Sequence, residues 1–277
     1  MQRNLQNRVL IAACLISVVG AAGCDKLKAR DKLNKGVQAY RNAQFDTAIE
    51  DFKQAKALDP GLTNARLYLA TAYASQYIPG APSDENMNMG KQAIAEFQEV
   101  LSGDPNNLTA IDGIGSLLFN MGANPFDAKT LDESKQYHLK HIAIKPDDAE
   151  PYYYLAVIDW SLAYHVNNEM REEYNKTSKK PLREIDPMPP KMAADYAQKE
   201  GAIVDEGIDY AKKAMDRRPQ YDDAMSYLSL LLRRKADMET DAQARDADTQ
   251  QADDLMHKIQ VIRQQRMENP SSGQPSS

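Results

Sequence analysis

The chain has 277 residues, 42% of them hydrophobic but only 7% aromatic, and a formal net charge of −6. That acidic balance argues against nucleic acid as a partner, since such partners need a basic face. There are two cysteines, Cys14 and Cys24; the first lies in a leader to be removed, so an internal disulfide framework is excluded.

The first element, "MQRNLQNRVLIAACLISVVGAAG", places Arg3 and Arg8 before an apolar run from Val9 to Val19 and then small residues. Residues 1–23 read as a secretory signal peptide, too short and wrongly flanked for a stable spanning helix. The run ends in "AAGC", Ala21 to Cys24, which resembles the lipobox of bacterial lipoproteins, although leucine is commoner than alanine at the first position. The resemblance implies that Cys24 is the lipid attachment site, that residues 24–28 form the lipidated N-terminus and a short linker, and that acyl chains hold the protein to a membrane. It also implies a periplasm-facing place in the cell envelope. Asp25 resembles the inner-membrane retention signal of enteric lipoproteins, while the choice between inner and outer membrane stays open. Loss of the leader removes its two arginines and takes the net charge from −6 to −8.

Next come two copies of one pattern, "FDTAIEDFKQAKALDP" at residues 45–60 and "MGKQAIAEFQEVLSGDP" at residues 89–105. Ala48, Ile49, Phe52 and Ala55 in the first, and Ala93, Ile94, Phe97 and Val100 in the second, each form one helical stripe ahead of Asp-Pro. Proline then stops the helix, because it lacks an N–H and clashes with the preceding turn. Weaker copies end at Pro146, with Ser134, His138 and His141, and at Pro219, with Gly207, Ala211 and Ala214. The pattern resembles the second helix of a tetratricopeptide repeat (TPR). The family's first helix follows each proline: Arg66, Leu69, Ala70 and Tyr73; Ile111, Ile114, Gly115 and Leu118; Tyr152, Leu155, Ala156 and Asp159; Met225, Leu228, Ser229 and Leu232. The first repeat opens with "KLNKGVQAYRNAQ", which keeps Gly36 in either of two adjacent registers. The fold implied is all-α, a helix-turn-helix solenoid of about five repeats over residues 29–268.

Successive prolines are 45, 41 and 73 residues apart, against a family period of about 34. The excess predicts insertions between the two helices of repeats 2, 3 and 4. The first is "YIPGAPSDENMNM", read as a loop, and the second includes "GANPFDAKT". The third, about residues 161–200, predicts an elongated first helix, a proline-rich crossing, and a lengthened second helix from about Lys191 to Arg217. The charge and prolines of residues 166–190 predict little contribution to the core. A final helix with a stripe of Ala252, Leu255, Met256, Ile259 and Ile262 suits a terminal cap. The Ser/Pro/Gly composition of residues 269–277 predicts a disordered tail.

The stretch "DAEPYYYLAVIDW", Asp148 to Trp160, holds three consecutive tyrosines and the single tryptophan. Tyr152 falls on the packing stripe. Tyr153, Val157 and Trp160 fall on a neighbouring stripe, which the resemblance places toward a concave groove. The same stripe elsewhere holds Leu33, Val37 and Tyr40; Asn64, Leu67 and Thr71; Asp112, Ser116 and Phe119; and Ser226, Leu230 and Arg233. The lysine and asparagine set that clamps a terminal carboxylate in some family members is missing. The resemblance therefore implies a non-enzymatic adaptor whose partners are proteins or extended peptides gripped by apolar side chains. Two alternatives stand beside it: a periplasmic small-molecule carrier associated with a solute transporter, or aromatics that pack against the chain's own insertions. A homo-oligomer is left open. His138 and His141 have the spacing of a ligand pair but occupy packing places, and no phosphate loop, nucleophile elbow or zinc-protease motif is present. No metal or cofactor is expected.

Overall fold

A computed structural model describes residues 24–268; the signal-peptide and tail readings lie outside the described residues. Those residues form ten α-helices in two compact units, the first running to Asn124 and the second starting at Pro125. The first unit holds α1 (24–41), α2 (Phe45–Leu58), α3 (Thr63–Gln76), α4 (Asp84–Gly103) and α5 (Leu108–Ala123). The second holds α6 (Ala128–Ile144), α7 (Ala149–Thr177), α8 (Pro190–Arg217), α9 (Asp222–Ala236) and α10 (Ala242–Glu268). Each helix packs on its neighbour in the chain within its unit, and α3 also meets α5 while α7 meets α9. That is the pairing of stacked helix hairpins.

The stripes predicted from sequence are mostly buried, Ile94 being half-buried. Ala48, Phe52 and Ala55, and likewise Ala93, Phe97 and Val100, are at most 3% exposed. Each such apolar ring or branch contributes roughly 1.5–3 kcal/mol by leaving water. The two rings need a partner without a side chain. A Cβ added at Gly36 would lie 2.5 Å from the Phe52 ring, and one at Gly113 would lie 2.5 Å from Phe97.

Four helices end the same way. The residues before the prolines, Asp59, Asp104, Lys145 and Arg218, have φ between −130 and −139° and ψ between 78 and 91°. Proline drives its predecessor out of the helical region, yet each of these residues still donates its N–H to a carbonyl four positions back.

Three expectations need correction. The segment "DENMNM" is helical, so α4 begins at Asp84 and the loop is confined to residues 77–83. Ser83 caps that helix, and the Asn86 side chain bonds Ile78 N, Ile78 O and Ala81 O at 2.7, 2.8 and 3.0 Å, which folds the loop back on the helix start. Met256 on α10 is 40% exposed, whereas Ala252, Ile259 and Ile262 are buried. Most consequentially, residues 166–190 do contribute to the interior, since Asn167, Arg171 and Met188 are each no more than 6% exposed.

The cause is a polar network that sequence spacing does not reveal. Arg171 donates to Asn167 Oδ1, to the carbonyls of Arg183 and Asp186, and at 2.7 Å to Asp237 Oδ1. Asn167 donates to the other Asp237 oxygen at 3.0 Å, and Arg234 approaches it at 3.2 Å. One guanidinium thus fastens α7, the crossing segment and the end of α9. Around it Met188, Met192, Ala193 and Tyr196 form a buried cluster, with Met170, Tyr174 and Leu182 packed against it.

Candidate functional site

The lengthened α7 carries Tyr153, Trp160 and Tyr164 at positions i, i+7 and i+11, and α9 supplies Tyr227 with Tyr221 at its N-cap. These rings form a continuous row. Tyr153 meets Tyr221 at 5.2 Å and Tyr227 edge-on at 5.7 Å; Tyr227 meets Trp160 edge-on at 5.4 Å; Trp160 stacks on Tyr164 at 4.9 Å. Tyr154 extends the row toward α6, touching Tyr153 at 5.3 Å and stacking on His138 at 4.7 Å. Guanidinium groups sit at both ends, Arg218 over Tyr221 at 4.2 Å and Arg234 over Tyr164 at 5.6 Å. Edge-to-face and offset rings at such distances attract through their quadrupoles, so the row holds itself in place.

Tyr153, Trp160, Tyr164 and Tyr227 are half-buried, each with part of its surface in the interior and part outside. Burial pushes the phenol of Tyr153 well above the ordinary tyrosine range, with Tyr227 and Asp223 adding to it. Burial also raises Tyr227, and raises Tyr221 to about 12. All three stay neutral near pH 7. The Trp160 Nε1 is buried without a hydrogen-bond acceptor among the described residues, which leaves a donor unsatisfied in the row.

Adjacent tyrosines differ as their stripes differ. Tyr152 is 6% exposed, with the Arg217 guanidinium 4.0 Å from its ring and donating to its hydroxyl at 3.1 Å. Val157, placed by sequence on the groove stripe, is 3% exposed. That expectation is corrected: the side chain is consumed by the interior and offers nothing to a partner.

Of the other groove-stripe residues, Ser226, Leu230 and Arg233 lie on α9 of the second unit and the rest lie in the first. The Tyr40 hydroxyl and Ser75 Oγ share a hydrogen bond of 2.8 Å, and the Tyr40 ring meets Phe45 edge-on. Ser75 bonds the carbonyl of Thr71, and Thr71 that of Leu67, so Tyr40, Leu67, Thr71 and Ser75 lie along facing stretches of α1 and α3. Asn64 is exposed, while Leu67, Asp112 and Phe119 are half-buried. Cys24 is exposed at the start of α1.

Tyr164, Tyr221 and Tyr227 were not singled out from sequence. Tyr227 sits one position past Ser226, where the family stripe was drawn, and a search for aromatics within reach of Trp160 on either register would have found it.

Two other features belong to the second unit. Lys135 bridges Asp159 at 2.6 Å and Glu206 at 2.7 Å, joining α6, α7 and α8. Burial pushes the fully enclosed Asp159 carboxyl up to about 7, against the pull of Lys135. The Lys135 amine is itself held above its usual value, its burial outweighed by the two carboxylates. The enclosure of Asp159, whose Oδ2 lacks a hydrogen-bond partner among the described residues, sustains the upward direction. Elsewhere, Met170, Glu173, Tyr174, Pro189, Lys191, Met192 and Asp195 line an open cleft of about 330 Å³. Among the described residues no three His, Cys, Asp or Glu side chains are grouped to hold a metal ion, and no helix is long and apolar enough to cross a membrane.

No protein-family model and no curated protein sequence matches the chain. Solved structures do. The chain is similar to the crystal structure of MamA protein, at 15% identity over 90% of this chain and 98% of that one, with a TM-score of 0.56. It is similar to MamA 41-end from Desulfovibrio magneticus RS-1 at 16% identity, 86% and 97% coverage and a TM-score of 0.55. It also resembles YrrB, described as a TPR protein with an unusual peptide-binding site, at 13% identity, 85% and 90% coverage and a TM-score of 0.50. At such identities the likeness speaks for architecture, and the architecture is that of tetratricopeptide-repeat proteins: all-α, built from stacked helix hairpins with insertions within repeats and a long terminal helix.

Proposed function

We propose that this chain is a non-enzymatic, membrane-anchored adaptor of the bacterial cell envelope that binds protein segments through its aromatic row. The observation that carries the reading is the set of half-buried rings on α7 and α9: Tyr153, Tyr227, Trp160 and Tyr164. Rigid aromatic side chains bury large area at small entropic loss, which makes them effective anchors at interfaces. A TPR neighbour described by its peptide-binding site supports the same reading. Trp160 supplies the test. Its fluorescence should respond to a binding segment selected from a peptide array, and Tyr227→Ala should weaken that binding at least tenfold with little change in the melting curve. Equal binding by Tyr227→Ala would sink the assignment.

Anchoring rests on "AAGC" after an apolar run. Cys24→Ser should free the protein from membranes or leave it unprocessed; a variant that still takes up lipid label refutes it. The cleft beside Met170, Tyr174 and Met192 favours a second reading, a small-molecule carrier, because its volume of about 330 Å³ lies at the lower end of ligand pockets. Native mass spectrometry separates the two: a co-purifying small molecule lost in Met192→Lys supports the carrier.

A further inference from the structure

Charge is unevenly divided along the chain. Residues 24–41 hold six basic side chains and two acidic ones, and residues 1–23 hold two arginines and no acid. A total of −6 therefore leaves −12 on residues 42–277. Helix α1 is a basic rod on an acidic protein. Its inner side is marked by buried Ala29, Gly36 and Ala39, and at 100° per residue Leu27 stands almost opposite them. Leu27 is 69% exposed, and Cys24, Lys26, Lys28 and Arg30 around it are exposed as well. Some of the charge is matched: Lys28 pairs with Asp25 at 3.2 Å, Lys32 with Asp51 at 2.9 Å and Lys35 with Asp31 at 2.8 Å. Among the described residues Lys26, Arg30 and Arg41 have no ion pair.

We propose that the first two turns of α1 dock on an anionic lipid surface, with Lys26, Lys28 and Arg30 against the headgroups and Leu27 in the interface. Charge complementarity selects this occupant. A surface of negative headgroups attracts α1 and repels the acidic remainder, so it orients the protein with α1 toward the bilayer. The exposed leucine amid the cations decides between lipid and nucleic acid, because an apolar side chain gains from the acyl boundary and gains nothing from a phosphate backbone. This deepens the anchoring reading and supplies a second membrane signal beside an acyl chain. The experiment below removes the acylation site, so the two readings can fail separately.

Residues 24–277, which contain every described element, are prepared with Cys24→Ser and sedimented with vesicles at millimolar lipid. One set is phosphatidylcholine alone and the other also contains phosphatidylglycerol. The protein should partition onto the second set only, and added salt should release it. Lys26→Gln and Arg30→Gln should each weaken partitioning about fivefold, and the double variant about 25-fold. Leu27→Ser should weaken it further at unchanged salt dependence. These side chains are exposed, so circular dichroism should show the fold intact. Equal binding to both vesicle sets, binding to neither, full binding by the double variant, or binding to duplex DNA as tight as to vesicles would each overturn the proposal. An unaffected Leu27→Ser would overturn the inserted leucine.

Discussion

The two units solve the same packing problem with different materials. In the first, the interior is almost wholly apolar, and Asn86 is the buried polar side chain found among its described residues. In the second, Ser134, His138, His141, Asp159, Asn167, Arg171, Glu200, Ser229 and Arg234 are all buried. Part of the contrast follows helix length: Asp159, Asn167, Arg171 and Glu200 lie on the long α7 and α8, while the other five lie on α6 and α9, helices of ordinary length. Where hairpins keep near the family's length, a phenylalanine seated on a glycine closes the contact. Where α7 and α8 reach 29 and 28 residues, the added turns are held by charged groups that fix one geometry, at a desolvation penalty that apolar packing would not incur.

Removing a polar fastener should show the largest effect. Arg171→Ala strips a donor from two carbonyls and a partner from Asp237, and should cost about 3–5 kcal/mol in urea unfolding. It should also open the Lys179–Lys180 region to trypsin. Arg171→Ala combined with Asp237→Ala should lose less than the two singles together; simple additivity would show that the network does not act as a unit.

The buried carboxyl comes next. Asp159 titrates near 7 in the folded chain and near 3.9 when unfolded. Between those values the folded chain holds the extra proton, so stability falls as pH rises through the window, by on the order of 4 kcal/mol. Asp159→Asn should lack that decline. If the difference between wild type and variant is flat with pH, or grows in favour of wild type, Lys135 keeps the carboxylate charged throughout.

Glycine seats give a smaller, opposite-sided test. Gly36→Ala and Gly113→Ala push a methyl into buried rings and should each lose about 1–2 kcal/mol, overpacking exceeding the helix preference of alanine. Gly201 on α8 has nothing within 4 Å of an added Cβ, so Gly201→Ala should gain up to about 1 kcal/mol. A loss at Gly201 would mean the long hairpin is as tightly packed as the short ones. Smallest of all, Tyr40→Phe removes the exposed bond to Ser75 and should change stability by about 0.5 kcal/mol or less.

Much of the fold was legible because a helical stripe has a local period. Even the degenerate copies hold: Ser134, His138 and His141 are buried, as are Gly207, Ala211 and Ala214. The site was legible only in part. Trp160 and Tyr153 stood out by composition, but their contact Tyr227 depends on how far α9 is rotated against α7, a tertiary quantity. Val157 was misplaced because a stripe drawn at the edge of a helical face does not say which side the neighbouring helix covers. The contribution of residues 166–190, Arg171 above all, is hidden from the sequence for a related reason. A charged, proline-flanked segment normally means solvent, and its partner Asp237 lies 66 residues away, so nothing local announces the pair.

The joints before α3, α5, α7 and α9 are four residues each, 59–62, 104–107, 145–148 and 218–221, with proline second. Length varies only inside repeats, never at these joints. A lengthened hairpin can therefore be added sideways while the chain's coupling from one repeat to the next keeps its gauge, much as carriages of different heights run on one track. New surface, such as the extended α7 with its tyrosines, can arise by growth at a hairpin tip without any change in how successive repeats are linked.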